Sequence, residues 1–322
     1  MSHEESLEPK PLHPRASEPR TGTASSTAQM GFPGALFKAL RPRQWVKNAV
    51  LLAGILFTLN HGHSLGDWLR VAGGIAVFCA LASAIYLVND VCDLEQDRKH
   101  PRKRHRPIPA GLVSVPAALI TAVLLIVGGM AGSLLLGPLF ALTSLVYVLL
   151  TLAYSIYLKH AVIIDVMALA GCYVARAVAG AVVINVEISP WLLVCTMLGA
   201  LLIGLAKRRN ELLTLEDAGS HRRILEEYTV DMLDKMIVIV ASSTLMAYML
   251  YTFPTFSRTA QQRPLMMLTI PYVVYGVFRF LYQMHRHGKG GDPSSELVED
   301  RNLMVCGILW ALTAVLVMLF GR

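Results

Sequence analysis

Asn89-Asp90-Val91-Cys92-Asp93-Leu94-Glu95-Gln96-Asp97 follows directly on a long apolar run and places three aspartates at spacings of three and four. At ~100° per residue, Asp90, Asp93 and Asp97 fall within about 60° of one another on a helix, while Glu95 points elsewhere. Carboxylates massed in this way repel one another, and a divalent cation among them relieves the repulsion. Hard oxygen ligands of this kind suit Mg²⁺, which keeps part of its water and binds through a few carboxylates plus substrate phosphates. The motif therefore points to a metal and diphosphate site where a helix leaves a membrane.

The next ten residues, Arg98-Lys99-His100-Pro101-Arg102-Lys103-Arg104-His105-Arg106-Pro107, set a dense run of cations beside the aspartates. Arginine offers paired donors to phosphate oxygens and lysine a compact charge. A basic loop between two apolar segments is by itself an ordinary topology signal. Attached to the aspartate pattern, it marks Arg98, Lys103, Arg104 and Arg106 as candidate phosphate ligands.

Working outward, 54% of the chain is hydrophobic and 16% charged, with a mean hydropathy of +0.52. These values leave little polar surface for a soluble protein of 322 residues. Apolar runs near the ~20 residues that cross a bilayer fall at 44–59, 68–88, 113–133, 136–157, 162–184, 190–206, 236–253, 265–283 and 303–320. The expectation is an all-α, polytopic membrane protein of about nine transmembrane helices. Lys and Arg concentrate in 38–47, 91–112, 158–161, 207–234 and 284–302, whereas the alternate connections and the C-terminus hold only Arg70, Arg258, Arg263 and Arg322. The N-terminus is then cytoplasmic and the C-terminus outside. The formal charge of +7 lies mostly on the face that meets anionic headgroups and phosphorylated substrates. No basic region stands apart from the membrane helices, which argues against nucleic acid as a partner.

Residues 1–34 carry Pro9, Pro11, Pro14, Pro19 and a Thr/Ser/Ala run without apolar periodicity, and read as a disordered cytoplasmic tail before a transmembrane domain over 35–322. The tail lacks the apolar stretch of a secretory signal. Cys79, Cys92, Cys172, Cys195 and Cys306 show no CxxC pairing and read as buried free thiols.

Other polar clusters gather on the same side. Arg41-Pro42-Arg43-Gln44-Trp45-Val46-Lys47-Asn48 suits either an anchored helix start or phosphate contact by Lys47 and Asn48. Lys159 ends a helix, where the dipole alone favours a cation. Asp165 and Arg176 are charges within an apolar span, costly unless paired or facing a polar cavity. Lys207, Arg208 and Glu211 share a helical face at a helix end that matches the aspartate motif in topology. Further on, Arg222, Arg223, Glu226, Glu227, Tyr228, Asp231 and Asp234 form an amphipathic stretch, with Tyr228 and Asp231 its better site candidates. Residues 285–302, with a hinge from Gly288 to Gly291, read as a plain loop.

Asn89-Asp90-x-x-Asp93-x-x-x-Asp97 resembles the first aspartate-rich motif of the UbiA-type polyprenyl transferase superfamily, over essentially all of 35–322. Within it, Arg41 to Asn48, Tyr86-Leu-Val-Asn-Asp90, Lys103-Arg-His-Arg-Pro-Ile108 and Lys207-Arg-Arg-Asn-Glu-Leu212 are similar to the decaprenyl-phosphate phosphoribosyltransferase branch. Aromatic prenyl transferases carry a second motif, DxxxD; Asp231 and Asp234 depart from that spacing, and a basic cluster lies upstream. The resemblance implies a UbiA-like bundle in the inner (cytoplasmic) membrane with its site facing the cytoplasm. It implies Mg²⁺-dependent transfer of 5-phosphoribosyl from phosphoribosyl diphosphate to a polyprenyl phosphate. Asp90, Asp93 and Asp97 would hold the metal and Asn89 would orient the donor. Arg98, Lys103, Arg104, Arg106, Lys207 and Arg208 would meet donor phosphates; Lys47, Lys159 and Arg176 the lipid phosphate or the 5-phosphate. Two other classes fit parts of the pattern: a prenyl transferase using an allylic diphosphate and an aromatic acceptor, and a transporter. The one-sided placement of charge and the absence of an inverted hydropathy repeat count against the transporter. No oligomeric state follows from the residues.

Overall fold

The computed structural model describes residues 31–101, 103–214, 225, 227–253, 264–287 and 300–320. The part of the expected tail over 1–30, together with Arg102, Arg222, Arg223, Glu226 and the 288–299 part of the expected loop, lies outside the described residues. Residues 32–34 of the expected tail are already helical: helix α1 (Phe32–Ala39) begins at Phe32 with Pro33 in its first turn, a position where the missing proline N–H costs nothing.

A 3-10 segment, Pro42–Leu51, and a short helix α2 (Leu52–Leu56) follow. The remaining helices are α3 (Leu65–Cys92), α4 (Leu94–Lys99), α5 (Val115–Leu136), α6 (Pro138–Ile156), α7 (Ile164–Val182), α8 (Pro190–Thr214), α9 (Val230–Thr252), α10 (Ile270–His287) and α11 (Arg301–Phe320). Among the described residues eight helices are long and apolar enough to cross a membrane: α3, α5 to α9, α11, and α10 with the 3-10 turn before it. The first expected span, 44–59, is the exception. Its residues wind as the 3-10 segment and α2, and 3-10 winding rises ~2.0 Å per residue against ~1.5 Å in an α-helix. The stretched piece therefore reaches roughly 27 Å with few residues, close to the ~30 Å of a hydrocarbon core.

Consecutive helices pack as neighbours from α5 to α9, α3 lies against α5, and the leading 3-10 segment and α2 wedge against α3 and α7. Two glycines permit this wedge. A Cβ on Gly180 would stand 2.0 Å from the Leu51 carbonyl oxygen, and one on Gly54 2.7 Å from that of Gly180. Only bare backbone fits there. Phe78, Phe140 and Tyr147 fill the core beneath, with ring centroids 5.8 and 5.0 Å apart. Leu119, Ile120, Val123, Leu124 and Val127 on α5, and Leu139, Leu142, Val146 and Leu149 on α6, are exposed. Such a continuous apolar exterior is favourable only in lipid, and the chain is a multi-pass membrane protein.

Sequence pattern also sets the ends. Ser64 and Asp67 close a capping box on α3, Thr229 accepts from the Met232 amide to start α9, and Asp300 accepts from the Asn302 and Leu303 amides to start α11. All five cysteines are free, but only Cys172 and Cys306 are buried; Cys79 and Cys195 are half-buried, and Cys92 is exposed, because it lies two positions beyond Asp90 and so on the far side of the helix end.

Candidate active site

Helix α3 stops at Cys92, and Asp93 leaves helical geometry at φ −94°, ψ 10° before α4 begins. This break divides the aspartates. Asp90 and Asp97, each 2% exposed, converge on one guanidinium: Arg106 Nη1 donates to Asp90 Oδ1 at 3.1 Å and to Asp97 Oδ2 at 2.7 Å. Lys103 Nζ lies 3.5 Å from Asp97 Oδ1. Asp93 turns away and accepts from Lys159 Nζ at 2.8 Å. The expected single face of three carboxylates is thus two carboxylates plus one. Among the described residues no three His, Cys, Asp or Glu side chains group to hold a metal ion.

Arg41 completes the first pair, donating through Nη2 to Asp90 Oδ1 and lying over the Tyr86 ring at 4.9 Å. It was not among the expected site residues, although it heads the basic 41–48 stretch. Its backbone is left-handed, φ 56° and ψ 60°, a conformation that costs a non-glycine residue on the order of 1 kcal/mol or more. The bond to Asp90 holds it there. Burial draws the Arg41 guanidinium below its ordinary pKa, and Asp90 opposes that shift. Arg41, Asp90 and Arg106, with Lys38, Ala39, His105 and Pro107, line a cavity of about 180 Å³.

Two buried oxygens beside this cluster, Asn89 Oδ1 and Asp90 Oδ2, have no hydrogen-bond partner among the described residues. An unpaired buried oxygen costs about 1–3 kcal/mol, so its presence calls for a ligand. A carboxylate and a carbonyl oxygen on adjacent residues fit a hard divalent cation that takes its other ligands from water and phosphate.

Arg176 lies one helical turn from Gly180. It is 5% exposed, donates through Nε to Asn48 Oδ1 at 2.9 Å, through Nη2 to Tyr147 Oη at 2.8 Å and through Nη1 to the Cys172 carbonyl at 3.1 Å, and packs on the Tyr147 and Tyr173 rings. These three bonds all run to neutral groups.

Arg208 occupies a different setting from the one expected. It is 1% exposed, donates to Asp165 Oδ2 at 2.6 Å and Tyr154 Oη at 3.2 Å, and also pairs with Glu211. Tyr228 Oη donates to the other Asp165 oxygen at 2.9 Å, and burial pushes its hydroxyl up to about 12, so it remains a donor across the physiological range. Arg208, Glu211 and Tyr228 therefore form an internal knot joining α7, α8 and the approach to α9. The periodicity of 207–211 gives their common face but not its direction, which is inward. Asp231 pairs with Lys235 on the surface, and Asp234 binds Arg209 at 2.5 Å. Arg98 is exposed beside Glu95 at 3.3 Å, Arg104 and Lys207 are exposed, and Lys47 is partly buried on the leading segment. The knots share one end of the bundle, linked from Lys159 at the end of α6 to Asp93, and from Asp165 at the start of α7 to Arg208.

A lipid-exposed helical bundle with a charged, oxygen-rich centre at one end is the architecture of an intramembrane transferase, and residues 49–296 match the UbiA prenyltransferase family. The chain belongs to that family. It is 35% identical over 289 residues to a Mycobacterium tuberculosis protein named decaprenyl-phosphate phosphoribosyltransferase, covering 88% of this chain and 94% of that one. A protein of the same name from Corynebacterium glutamicum is 34% identical, covering 87% and 86%. The fold is that of a UbiA homolog from Archaeoglobus fulgidus solved bound to GPP and Mg²⁺, with a TM-score of 0.67 at 16% identity, over 88% of this chain and 99% of that one.

Proposed function

We propose that this chain transfers a 5-phosphoribosyl group from phosphoribosyl diphosphate to the phosphate of a polyprenyl phosphate, releasing diphosphate, at the cytoplasmic face of the inner membrane. The observation that carries this reading is the excess of cations over carboxylates at this centre: Arg41, Lys103, Arg106 and Lys159 surround Asp90, Asp93 and Asp97, and Arg176 adds a further buried cationic side chain. A donor with a diphosphate and a separate sugar phosphate, meeting an acceptor that is itself a phosphate, needs that surplus. The kinship with the two phosphoribosyltransferases supports the same substrates.

Asp90 and Asn89, with Asp97 beside them, would hold Mg²⁺, which supplies Lewis-acid stabilisation of charge on the departing diphosphate. Arg106 and Lys103, partly exposed beside the cavity, bind diphosphate oxygens, and Arg41 fixes Asp90 from the other side. Lys159 and Arg176 bind the remaining phosphates. The lipid phosphate is already an anion, so no general base is required; the residues position it without quenching it. One C1–O bond to the acceptor forms as the C1–O bond to diphosphate breaks, with inversion at C1.

The test uses phosphoribosyl diphosphate labelled in the ribose. Purified protein, polyprenyl phosphate and Mg²⁺ should give a labelled, organic-extractable and acid-labile lipid. Absence of that lipid, with transfer of an isoprenoid from an allylic diphosphate to an aromatic acceptor instead, would overturn the proposal in favour of prenyl transfer.

A further inference from the structure

Between α6 and α7 the chain makes a 3-10 turn, Leu158–His160, and then a second, tighter one. Ile163 has φ 69° and ψ −45°, and the Ile164 amide donates to the Val162 carbonyl at 2.8 Å. This is a γ-turn of the positive-φ form, which is rare and strained, and a β-branched residue at its centre is an outlier. Ile163 itself is 41% exposed. A distant tyrosine meets the turn. The Ile163 amide, left without a helical partner at the start of α7, donates to Tyr228 Oη at 2.6 Å. Tyr228 Oη in turn donates to Asp165 Oδ1 at 2.9 Å, and Asp165 is anchored by Arg208. On the other side of the turn, four residues before Ile163, Lys159 reaches Asp93 at 2.8 Å.

We infer that Tyr228 is a positioning residue: its hydroxyl latches the strained Ile163 turn and thereby keeps the Lys159 ammonium on Asp93, where a substrate phosphate binds. The hydroxyl suits the task because it accepts from the amide and donates to the carboxylate at once, as phenylalanine cannot. Strain of this kind persists only where its surroundings over-determine it. The kinetic consequence rests on the proposed reaction, whereas the placement of Lys159 does not.

The experiment compares full-length wild type, Tyr228→Phe, Ile163→Gly and the double variant in detergent. Limited acylation with an N-hydroxysuccinimide ester, read by peptide mass spectrometry, reports Lys159 directly, with the exposed Lys235 as internal reference. In Tyr228→Phe, Lys159 labelling should rise about fivefold or more relative to Lys235. KM should rise about tenfold for one phosphorylated substrate, the scale of one lost hydrogen bond, while the other KM and kcat stay within about twofold. Glycine takes positive φ without steric cost, so adding Ile163→Gly should restore both values toward wild type. Unchanged Lys159 labelling in Tyr228→Phe, or no restoration in the double variant, overturns the latch and leaves Tyr228 as packing. Should Tyr228→Phe not fold, Ile163→Gly alone decides: unchanged labelling with equal or higher thermal stability supports a strained turn, and lower stability or increased labelling refutes it. If wild type forms no labelled lipid, the proposed reaction fails while the acylation result still stands.

Discussion

Replacing Arg106 with glutamine removes a cation that bonds Asp90 and Asp97 together. Its bonds of 3.1 and 2.7 Å meet at a single nitrogen, so the two carboxylate oxygens lie within about 6 Å, a range in which like charges couple strongly. At an effective dielectric of about 20, that separation corresponds to a repulsion of about 3 kcal/mol once the guanidinium is gone. Arg41 and Lys103 remain in place, and the Arg106 side chain is 34% exposed; solvent screening lowers the net loss to about 1–2 kcal/mol. For a chain of this size that is a fall of roughly 1.5–3 °C in Tm. Thermal unfolding in detergent reads the shift. Adding Mg²⁺ should raise the Tm of Arg106→Gln by more than that of wild type, because a divalent cation relieves the same repulsion. In the labelled-lipid assay kcat/KM should fall about a hundredfold, the scale of a lost charge-assisted phosphate contact. A Tm within about 1 °C of wild type, together with more than a tenth of wild-type turnover, would refute the bridging role.

Chelation with EDTA should lower turnover more than about tenfold, with recovery on excess Mg²⁺; full activity in chelator would remove the metal from Asp90 and Asn89. Gly180→Ala should cost at least about 3 kcal/mol, as overpacking against backbone does, because its Cβ would meet the Leu51 carbonyl at 2.0 Å. Size-exclusion chromatography would show this as loss of monodisperse protein, and a well-behaved Gly180→Ala of normal Tm would contradict the wedge.

Much of the bundle was legible because its signals are local. Hydropathy marks α3 and α5 to α11, and the aspartate spacing marks a helix end. What escaped depends on contacts distant in sequence. The run 44–59 is as apolar as a short span, yet nothing in its composition announces 3-10 winding or the fit of Leu51 against Gly180 on α7. Asp90, Asp93 and Asp97 share a face only on an unbroken helix, and the break at Asp93 sends that carboxylate to Lys159, 66 residues away. Arg208 reads as a surface cation by spacing alone; its carboxylate, Asp165, stands on another helix. Arg41 lay in a basic stretch already singled out, but its bond to Asp90 crosses 49 positions.

The leading 3-10 segment touches both anionic and cationic halves of the centre. Arg41, at its head, grips Asp90, and Asn48, near its middle, accepts from Arg176. A ten-residue strut with both hands occupied cannot slide at one grip without dragging the other. Altering how the protein holds one substrate phosphate by shifting this strut will therefore disturb the opposite grip as well, and changes of acceptor preference are better sought on α6 and α7, whose side chains line only one of the two.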